Sequence, residues 1–312
     1  MSGGIRMGFY QVGEVIRRAR EAAGISQEML CSGICSPETL SRIENGKNEP
    51  TRANFQALME RLGKCGEKYM PFIQCGEIDD LVEVKRLEQL VINRRYEEAE
   101  EALNMFERQL DVDDNVNRQF VIRMRAIVQH KLKKIDAKEK RENLIQALRC
   151  TIPEYEEDQF PAGVLSRTEI KILCNIAVSY SKEGKLEKVI EQLQKVKQYF
   201  ENTQVDFEER SNSELLMLSN LGQCLGKLGD TVAAKEIDEQ AIELCLKSGK
   251  RGILFSLLYN SALEREKLCE SKEETLETLI QAYYVAELGK NTRSMKYIEE
   301  HIKEVYGDVP LY

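Results

Sequence analysis

Three asparagines stand at matching positions in three similar segments of the chain: Asn175, Asn220 and Asn260. A carboxamide donates and accepts hydrogen bonds at once, so a row of such groups can bind the backbone of an extended peptide without reading its side chains. Each asparagine lies roughly nine residues before a turn. Two weaker copies of the segment precede these three. Nine residues before their turns stand Lys85 and Arg123, either of which could pair with a carboxylate of the peptide.

Six further residues lie one helical turn from the asparagines, and we expect them to form the walls of side-chain pockets: Lys171, Ser179, Leu216, Gln223, Ser256 and Glu264. An alternative stays open, because an asparagine near a helix end can also bond to a neighbouring backbone carbonyl and have no ligand. Three asparagines in this length of chain are not rare, so the pattern alone does not decide between the two interpretations.

A second group of polar residues lies in residues 26–51, which read SQEMLCSGICSPETLSRIENGKNEPT. Ser26 and Ser36 are predicted N-caps of two short helices separated by a tight turn, and Pro37 suits the first turn of the second helix. The pair Asn45-Gly46 is typical of a helix end. These residues predict a helix, a turn and a second helix whose exposed face is polar.

Apolar spacing predicts how these helices pack. A first helix is expected over residues 12–22, and a fourth is expected to begin at Pro50-Thr51. The predicted inward-facing side chains are Val15, Ile16, Ala19, Met29, Leu30, Leu40, Ile43, Phe55, Leu58, Met59 and Leu62. Periodicity alone is also compatible with a generic helical bundle.

The phrase SRIENG at residues 41–46, with Ser26-Gln27 before it and Pro50 four residues after the glycine, resembles the Xre/Cro-type helix-turn-helix. The resemblance covers about residues 13–62 and implies binding to double-stranded DNA. It implies that base edges in the major groove meet the recognition-helix residues Ser36, Pro37, Glu38, Thr39 and Ser41. It further implies phosphate contacts from Gln27, Arg17, Arg18, Arg42 and Lys47, whereas Glu44 and Asn45 hold the helix end.

One departure from the helix-turn-helix pattern concerns the reading positions. Pro37 and Glu38 stand where Gln, Arg or Asn are more usual, and few residues of this helix offer bidentate contacts to a base. The sequence of the operator therefore does not follow from the chain.

The rest of the chain reads as helix after helix with internal repetition. The three asparagines are 45 and 40 residues apart, a longer period than the roughly 34 residues of an ideal tetratricopeptide repeat, which the turn phrases still resemble. We predict five helix pairs and a closing helix, over residues 77–109, 113–150, 162–201, 208–248, 250–289 and Thr292–Tyr306. Because one pair cannot bury its apolar face alone, the pairs should stack into a right-handed superhelix with a concave channel.

The charge of the chain is unevenly distributed. The net charge is −8, yet the first 70 residues hold ten Lys and Arg against eight Asp and Glu, and the remainder holds 35 against 45. A slightly basic module on an acidic body fits a protein that binds DNA selectively. The predicted all-α organisation is a flexible N-terminus over 1–9, a DNA-binding domain over 10–70, a linker over 71–76, a repeat domain over 77–290 and a capping helix and tail over 291–312.

This architecture resembles the Rgg/PlcR/PrgX regulators, in which an Xre-type domain precedes a tetratricopeptide-like array that binds a short signalling peptide. The ten-residue step from Ser26 to Ser36 resembles the PlcR-like branch of that family. The resemblance implies inward asparagines that bind the peptide backbone, and a homodimer on a near-palindromic operator with half-sites about 34 Å apart. We expect a cytoplasmic protein without membrane segment, because no apolar run approaches about 18 residues.

Three other interpretations compete with this one. The helical array could serve only dimerisation or protein docking, or the chain could be a scaffold that has lost DNA binding. An enzyme is disfavoured because no phosphate loop, nucleophile elbow or histidine dyad occurs, and no cofactor is predicted.

The nine cysteines form no CxxC pattern, which disfavours a metal site. We expect reduced, buried thiols, with Cys31 and Cys35 as the pair best suited to a redox sensor.

Overall fold

The computed structural model describes residues 9–66 and 78–311, and these residues form helices and turns with no strand. The all-α prediction is therefore confirmed. The linker predicted over 71–76 and the N-terminus predicted over 1–9, apart from residue 9, lie outside the described residues. Within the described part of the chain, no helix combines the length and the apolar character that crossing a membrane requires.

The N-terminal region contains four helices, α1 (Phe9–Ala22), α2 (Gln27–Cys31), α3 (Pro37–Glu44) and α4 (Arg52–Arg61). The hydroxyl of Ser26 accepts a hydrogen bond from the Met29 amide, and that of Ser36 accepts one from the Thr39 amide. Both serines are thus the predicted N-caps, each of which satisfies a backbone amide that has no partner within its own helix.

A single apolar core joins these four helices. Ile16, Leu40, Phe55 and Leu58 are fully buried in it, as the apolar spacing predicts. The prediction for Met29 is wrong, because its side chain is 51% exposed. Adjacent residues of an α-helix point about 100° apart, so in this short helix the next two residues, Leu30 and Cys31, face the core instead.

Eleven further α-helices follow among the described residues: α5 (Ile78–Ile92), α6 (Tyr96–Glu107), α7 (Asn115–Lys131), α8 (Ala137–Arg149), α9 (Arg167–Ser179), α10 (Leu186–Asn202), α11 (Phe207–Leu228), α12 (Thr231–Ser248), α13 (Leu254–Lys267), α14 (Lys272–Leu288) and α15 (Thr292–Tyr306). They match the five predicted helix pairs and the closing helix. The predicted domain boundaries at residues 70, 76 and 290 remain predictions.

The chain divides into two compact units. The first comprises the residues up to Lys182 together with Asn202–Arg210, and the second comprises Glu183–Glu201 and Ser211–Tyr312. In the first unit, α5 to α9 pack in chain order, and α4 packs against α7 and α9. In the second unit, α12 to α15 pack in chain order.

Each unit has its own apolar core among these helices. Leu87, Leu103 and Val121 are fully buried between α5, α6 and α7 of the first unit. Leu279 and Ala282 are fully buried among α13, α14 and α15 of the second unit. Burial of one such large aliphatic side chain stabilises the folded state by about 1.5–3 kcal/mol, so the packing of neighbouring helices supplies the stability that no single pair could reach.

Candidate functional site

The exposed end of α3 presents short polar groups. Ser36, Pro37 and Glu38 are exposed, whereas Thr39 and Ser41 are half-buried. The hydroxyls of Ser36 and Thr39 lie 2.9 Å apart, so they are hydrogen-bonded to each other. The predicted base-reading residues therefore share one helix end, where serine and threonine hydroxyls can donate to or accept from a base edge.

The predicted phosphate contacts lie on several elements around α3. Arg42 and Lys47 are exposed at the other end of that helix, and the Nε of Arg42 donates to the Asn48 carboxamide over 3.2 Å. Arg17 is half-buried on α1, and Arg18 is exposed there and pairs with Glu14. All are surface cations of the kind that neutralise phosphates, and their contact with DNA stays a prediction.

A buried carboxylate fixes the position of α3. Glu44 is 5% exposed and accepts hydrogen bonds from the Nε and Nη2 of Arg20 at 2.7 and 2.8 Å. It also accepts one from the Gln27 amide at 2.7 Å. The hydrogen bond from Arg20 raises the pKa of that guanidinium. Glu44 has the structural role that its position in the motif implies, and the Gln27 side chain joins α2 to α3 rather than standing free for a phosphate.

Two thiols meet in the turn before α3. Cys31 is buried and Cys35 is half-buried, and both are free cysteines. A hydrogen bond between them lowers the pKa of Cys31 and raises the pKa of Cys35. Among the other described cysteines, Cys269 is exposed, which departs from the expectation of buried thiols.

The predicted peptide contacts of the first unit differ in their surroundings. Asn175 is half-buried, and its carboxamide makes no hydrogen bond to another described residue. Lys171 and Arg123 are half-buried, and Lys85 is exposed. Ser179 is buried, and its hydroxyl donates to the Ile176 carbonyl over 2.6 Å. A ligand could therefore reach Ser179 only after a rearrangement of α9.

The second unit holds the remaining predicted contacts. Asn220 and Asn260 are half-buried, and neither carboxamide bonds to another described residue. The Nδ2 atom of Asn260 is buried without a hydrogen-bond partner, an arrangement that costs free energy unless a ligand or water accepts its hydrogens. The other predicted wall residues here are half-buried or exposed, namely Leu216, Ser256 and Gln223.

The carboxyl group of Asp238 on α12, which was not predicted, lies buried near Glu264 of α13, four residues after Asn260. Glu264 is 6% exposed and accepts from the Lys267 ammonium at 2.8 Å, so this predicted wall residue is packed inside the unit. Burial, together with repulsion from Glu264, raises the pKa of Asp238 to about 7. A Cβ atom at Gly222 would lie 2.4 Å from the Asp238 Oδ1 atom. Gly222, in the interior of α11, is the sequence signal that could have indicated a close contact at this face of the helix.

The contact between the N-terminal helices and α9 was also missed. Arg61 of α4 is 4% exposed, and its Nη2 atom donates to Glu169 Oε1 at 2.6 Å and to the Thr151 carbonyl at 3.0 Å. Its Nη1 atom donates to the carbonyls of Leu30 and Ser32 at 3.0 and 2.7 Å. One guanidinium therefore joins the helix-turn-helix to the repeat helices of the first unit.

A second buried group reinforces this contact. The Arg167 amide donates to Glu60 Oε2 at 2.9 Å, and the Arg167 guanidinium pairs with Glu209. Burial raises the pKa of Glu60 to about 7, and the nearby charge of Glu209 adds to the shift. Residues of α4 and of the first turn of α9 are thus held together by two adjacent polar clusters.

The fold and the site define a helix-turn-helix protein with a C-terminal domain of helical repeats. A family model for the helix-turn-helix matches residues 16–69, and the model for the RNPP family C-terminal domain matches residues 84–306. The chain belongs to the RNPP family. The family resemblance predicted from residues 26–51 and from the repeats is confirmed.

Two solved structures of similar fold are those of Bacillus thuringiensis PlcR. PlcR in complex with the peptide PapR7 and DNA is 17% identical, with a TM-score of 0.62 over 93% of this chain and 99% of that chain. The apo form of PlcR is 16% identical, with a TM-score of 0.61 over 94% of this chain and 99% of that chain. No curated protein sequence matches the chain.

Proposed function

We propose that this protein is a cytoplasmic transcription regulator that binds double-stranded DNA through α3 and a short signalling peptide through its repeat helices. In this proposal the peptide changes the affinity of the protein for its operator. Family membership and the likeness to PlcR, whose solved complex contains a peptide and DNA, support both parts of the proposal.

Peptide binding is supported mainly by the hydrogen bonding of the three asparagine carboxamides. Asn175, Asn220 and Asn260 are half-buried, and none makes a hydrogen bond to another described residue. The buried Nδ2 atom of Asn260 needs an acceptor, and the backbone of a bound peptide supplies both a donor and an acceptor to each of the three amides. This favours backbone binding over the alternative in which the amides bond to neighbouring carbonyls.

The DNA part is supported by the polar end of α3. Ser36 and Glu38 are exposed there, and Arg42 and Lys47 provide positive charge at the other end of the helix. The helix is held in place from behind by the buried Glu44. A rigidly held helix with a polar outer face is what reading the major groove requires.

Helix α9 offers a route from the peptide to the DNA-reading helices. It carries Glu169, which binds Arg61 of α4, and Lys171 and Asn175, which are predicted to contact the peptide. A peptide that binds one position of α9 more tightly than another would shift the α4 contact with it. Such a ligand regulates DNA binding only through its different affinities for the two arrangements.

The protein is further proposed to act as a homodimer on a near-palindromic operator. Two copies of α3 would then read half-sites separated by about one helical turn, or a multiple of it.

The experiment that tests the proposal begins with the full chain and a random duplex DNA library. DNA retained by the protein is amplified and sequenced, and its affinity is measured by gel shift with and without a random-sequence heptapeptide library. A recurring, near-palindromic sequence whose affinity changes with peptide is expected. Retention of random DNA only, or an affinity that no peptide alters, contradicts the DNA part or the peptide part respectively.

A further inference from the structure

A pocket of about 110 Å³ lies where α4 meets the first turns of α7 and α9, all within the first unit. On α4 it is lined by Ala53, Gln56, Ala57 and Glu60, a spacing that puts all four side chains on one face of the helix. We call it the α4 pocket. None of the described residues that line it is predicted to contact the peptide or DNA. The α4 pocket therefore has no role in the proposed function.

Much of the wall of the α4 pocket is apolar. Ala53 and Ala57 line it on α4, and the larger side chains of Val84, Val116 and Phe120 line it on α5 and α7. Apolar walls with a few polar groups are typical of sites that bind small molecules. An apolar cavity of about 150 Å³ binds benzene, so the apolar part of a ligand here is limited to about one six-membered ring.

The two buried carboxyl groups in the wall already have hydrogen-bond partners. Glu169 accepts hydrogen bonds from Arg61 and from the Thr151 hydroxyl, both at 2.6 Å. The Gln56 Nε2 atom donates to Glu60 at 2.9 Å. Burial raises the pKa of Glu60 to about 7, so this carboxyl group is only partly charged near neutral pH. Neither carboxyl group therefore strongly opposes an anion in the pocket.

Arg52 is the basic side chain of the wall, and it lacks a counterion. Its Nε atom is buried without a hydrogen-bond partner, and Arg52 forms no ion pair in the described part of the chain. Arg61, at the other end of α4, instead donates to a carboxylate and three backbone carbonyls. Burial of a guanidinium N–H without an acceptor is unfavourable. The α4 pocket therefore combines an apolar wall with an unsatisfied cationic donor.

We propose that the α4 pocket binds a small organic monocarboxylate that is distinct from the signalling peptide. The carboxylate lies at Arg52, because a guanidinium can donate two parallel hydrogen bonds to it. The apolar body, a single ring or a short branched chain, packs against Ala53 and Phe120. An inorganic anion would leave the apolar wall unfilled, and a whole peptide exceeds the volume of the pocket.

A ligand in the α4 pocket would contact the helix-turn-helix region and the repeat helices at once. Its carboxylate and part of its apolar body would touch α4, and the rest would touch α7. Binding would therefore favour the arrangement in which α4 packs against α7 and α9. An effect on operator affinity, separate from that of the peptide, rests on the proposed function, whereas binding of the monocarboxylate does not.

The first test compares probes that differ in one property each. Benzoate and isovalerate combine a carboxylate with a ring or a branched chain. Benzamide lacks the charge, acetate lacks the apolar body, and 2-naphthoate exceeds the volume. Each is titrated into the full chain by calorimetry at constant ionic strength. Benzoate or isovalerate should bind about tenfold or more tightly than the other three.

Three results of this titration overturn the proposal. The first is that neither benzoate nor isovalerate binds at millimolar concentration. The second is that benzamide binds as tightly as benzoate, which removes the need for the charge of Arg52. The third is that 2-naphthoate binds as tightly as benzoate, which places the ligand outside a pocket of this size.

The second test locates the ligand with two variants. Arg52→Gln keeps the length of the side chain but removes the charge, and it should weaken benzoate binding by about tenfold or more. The matched control Arg108→Gln removes an exposed arginine and should bind as the wild type does. Wild-type affinity in Arg52→Gln overturns the proposal.

The other variant fills the pocket. Ala53→Leu should abolish benzoate binding, whereas Ala137→Leu, at a half-buried alanine that begins α8, should not. Equal affinity of Ala53→Leu and the wild type overturns the proposal. If Ala53→Leu does not fold, as judged by its thermal unfolding, the result with Arg52→Gln still decides.

A competition experiment distinguishes this inference from the proposed function. Benzoate binding by a chain that no peptide of the heptapeptide library affects leaves the inference standing, while the peptide part of the proposed function fails. Displacement of benzoate by a peptide that binds Arg52→Gln more weakly than the wild type makes the pocket part of the peptide site and overturns the assignment to a separate ligand.

Discussion

The guanidinium of Arg61 lies 2.6 Å from the carboxylate of Glu169, and the two side chains are only 3% and 1% exposed. The two residues are 108 positions apart in the chain, one in the helix-turn-helix region and one in the repeat helices. Because both side chains are buried, water cannot solvate either charge if the other is removed. The pair therefore makes the position of α4 depend on that of α9.

Loss of this pair should destabilise the first unit strongly. Arg61→Ala leaves Glu169 buried without its cation, and removal of one partner of a buried ion pair costs about 3–5 kcal/mol. Urea unfolding of the full chain measures the effect. The control Arg18→Ala removes an exposed arginine and should change the free energy of unfolding by less than about 0.5 kcal/mol. Equal effects of the two substitutions would contradict a stabilising role for the pair.

The turn before α3 depends on a close backbone contact. Gly33 has φ +70°, and a Cβ atom there would lie 2.2 Å from the Thr151 carbonyl oxygen. Gly24 has φ +67° and open space around it. Both Gly→Ala substitutions incur the left-handed backbone cost of about 1–2 kcal/mol, so any further loss in Gly33→Ala reports the contact with Thr151. Thermal unfolding should show the lower Tm for Gly33→Ala, and identical values would mean that the close contact with Thr151 does not affect stability.

The asparagine carboxamides should determine peptide affinity. Asn175→Ala combined with Asn220→Ala removes two groups that each can form hydrogen bonds worth about 0.5–1.5 kcal/mol. We expect calorimetry with a library-derived peptide to show binding weakened by about tenfold or more, and DNA affinity without peptide to be unchanged. The control Asn93→Ala/Asn202→Ala removes two exposed carboxamides. Normal peptide affinity in the first double variant would eliminate backbone binding by the asparagines.

The exposed cations around α3 should determine DNA affinity. Arg42→Ala with Lys47→Ala should weaken binding to the selected duplex, leave the Tm unchanged and reduce the slope of log affinity against log salt by about 2. The control Arg108→Ala/Lys138→Ala changes the net charge equally, outside the helix-turn-helix. A gel-shift titration in which both double variants lose the same affinity would point to net charge rather than to contacts made by α3.

The buried carboxyl group of Asp238 should make stability depend on pH. Its pKa of about 7 in the folded chain lies above the ordinary value of 3.8, so the folded state holds a proton that the unfolded state releases. This contribution to stability is complete below about pH 4 and is lost as the pH rises through about 7.

Asp238→Asn should remove this dependence. The variant should be more stable than the wild type at pH 8, by an amount on the order of 1 kcal/mol or more, and should lose that advantage at pH 5. Chemical unfolding at both pH values measures the difference, and Asp113→Asn is a control at an exposed position. An advantage of equal size at both pH values would mean that Asp238 does not titrate in this range.

The sequence by itself determined the helices and the class of protein. Caps such as Ser26 and Ser36 and the apolar spacing of residues such as Leu40 and Ile43 act within a few residues, so local chemistry fixes where each helix begins and which face is buried. The asparagines, which recur 45 and 40 residues apart, and the SRIENG phrase, which follows Ser26-Gln27, predicted the two candidate surfaces.

Only the tertiary structure decided how charged groups are paired. Arg61 and Glu169 look like ordinary surface residues in the sequence, and so does Asp238, because nothing local requires their burial. Whether a charge is screened by water, paired or left with like charges depends on helices that are distant in the chain. For that reason the sequence could name Arg123 as a contact, whereas the burial of its Nε atom without a hydrogen-bond partner follows only from the packing of α7 against its neighbours.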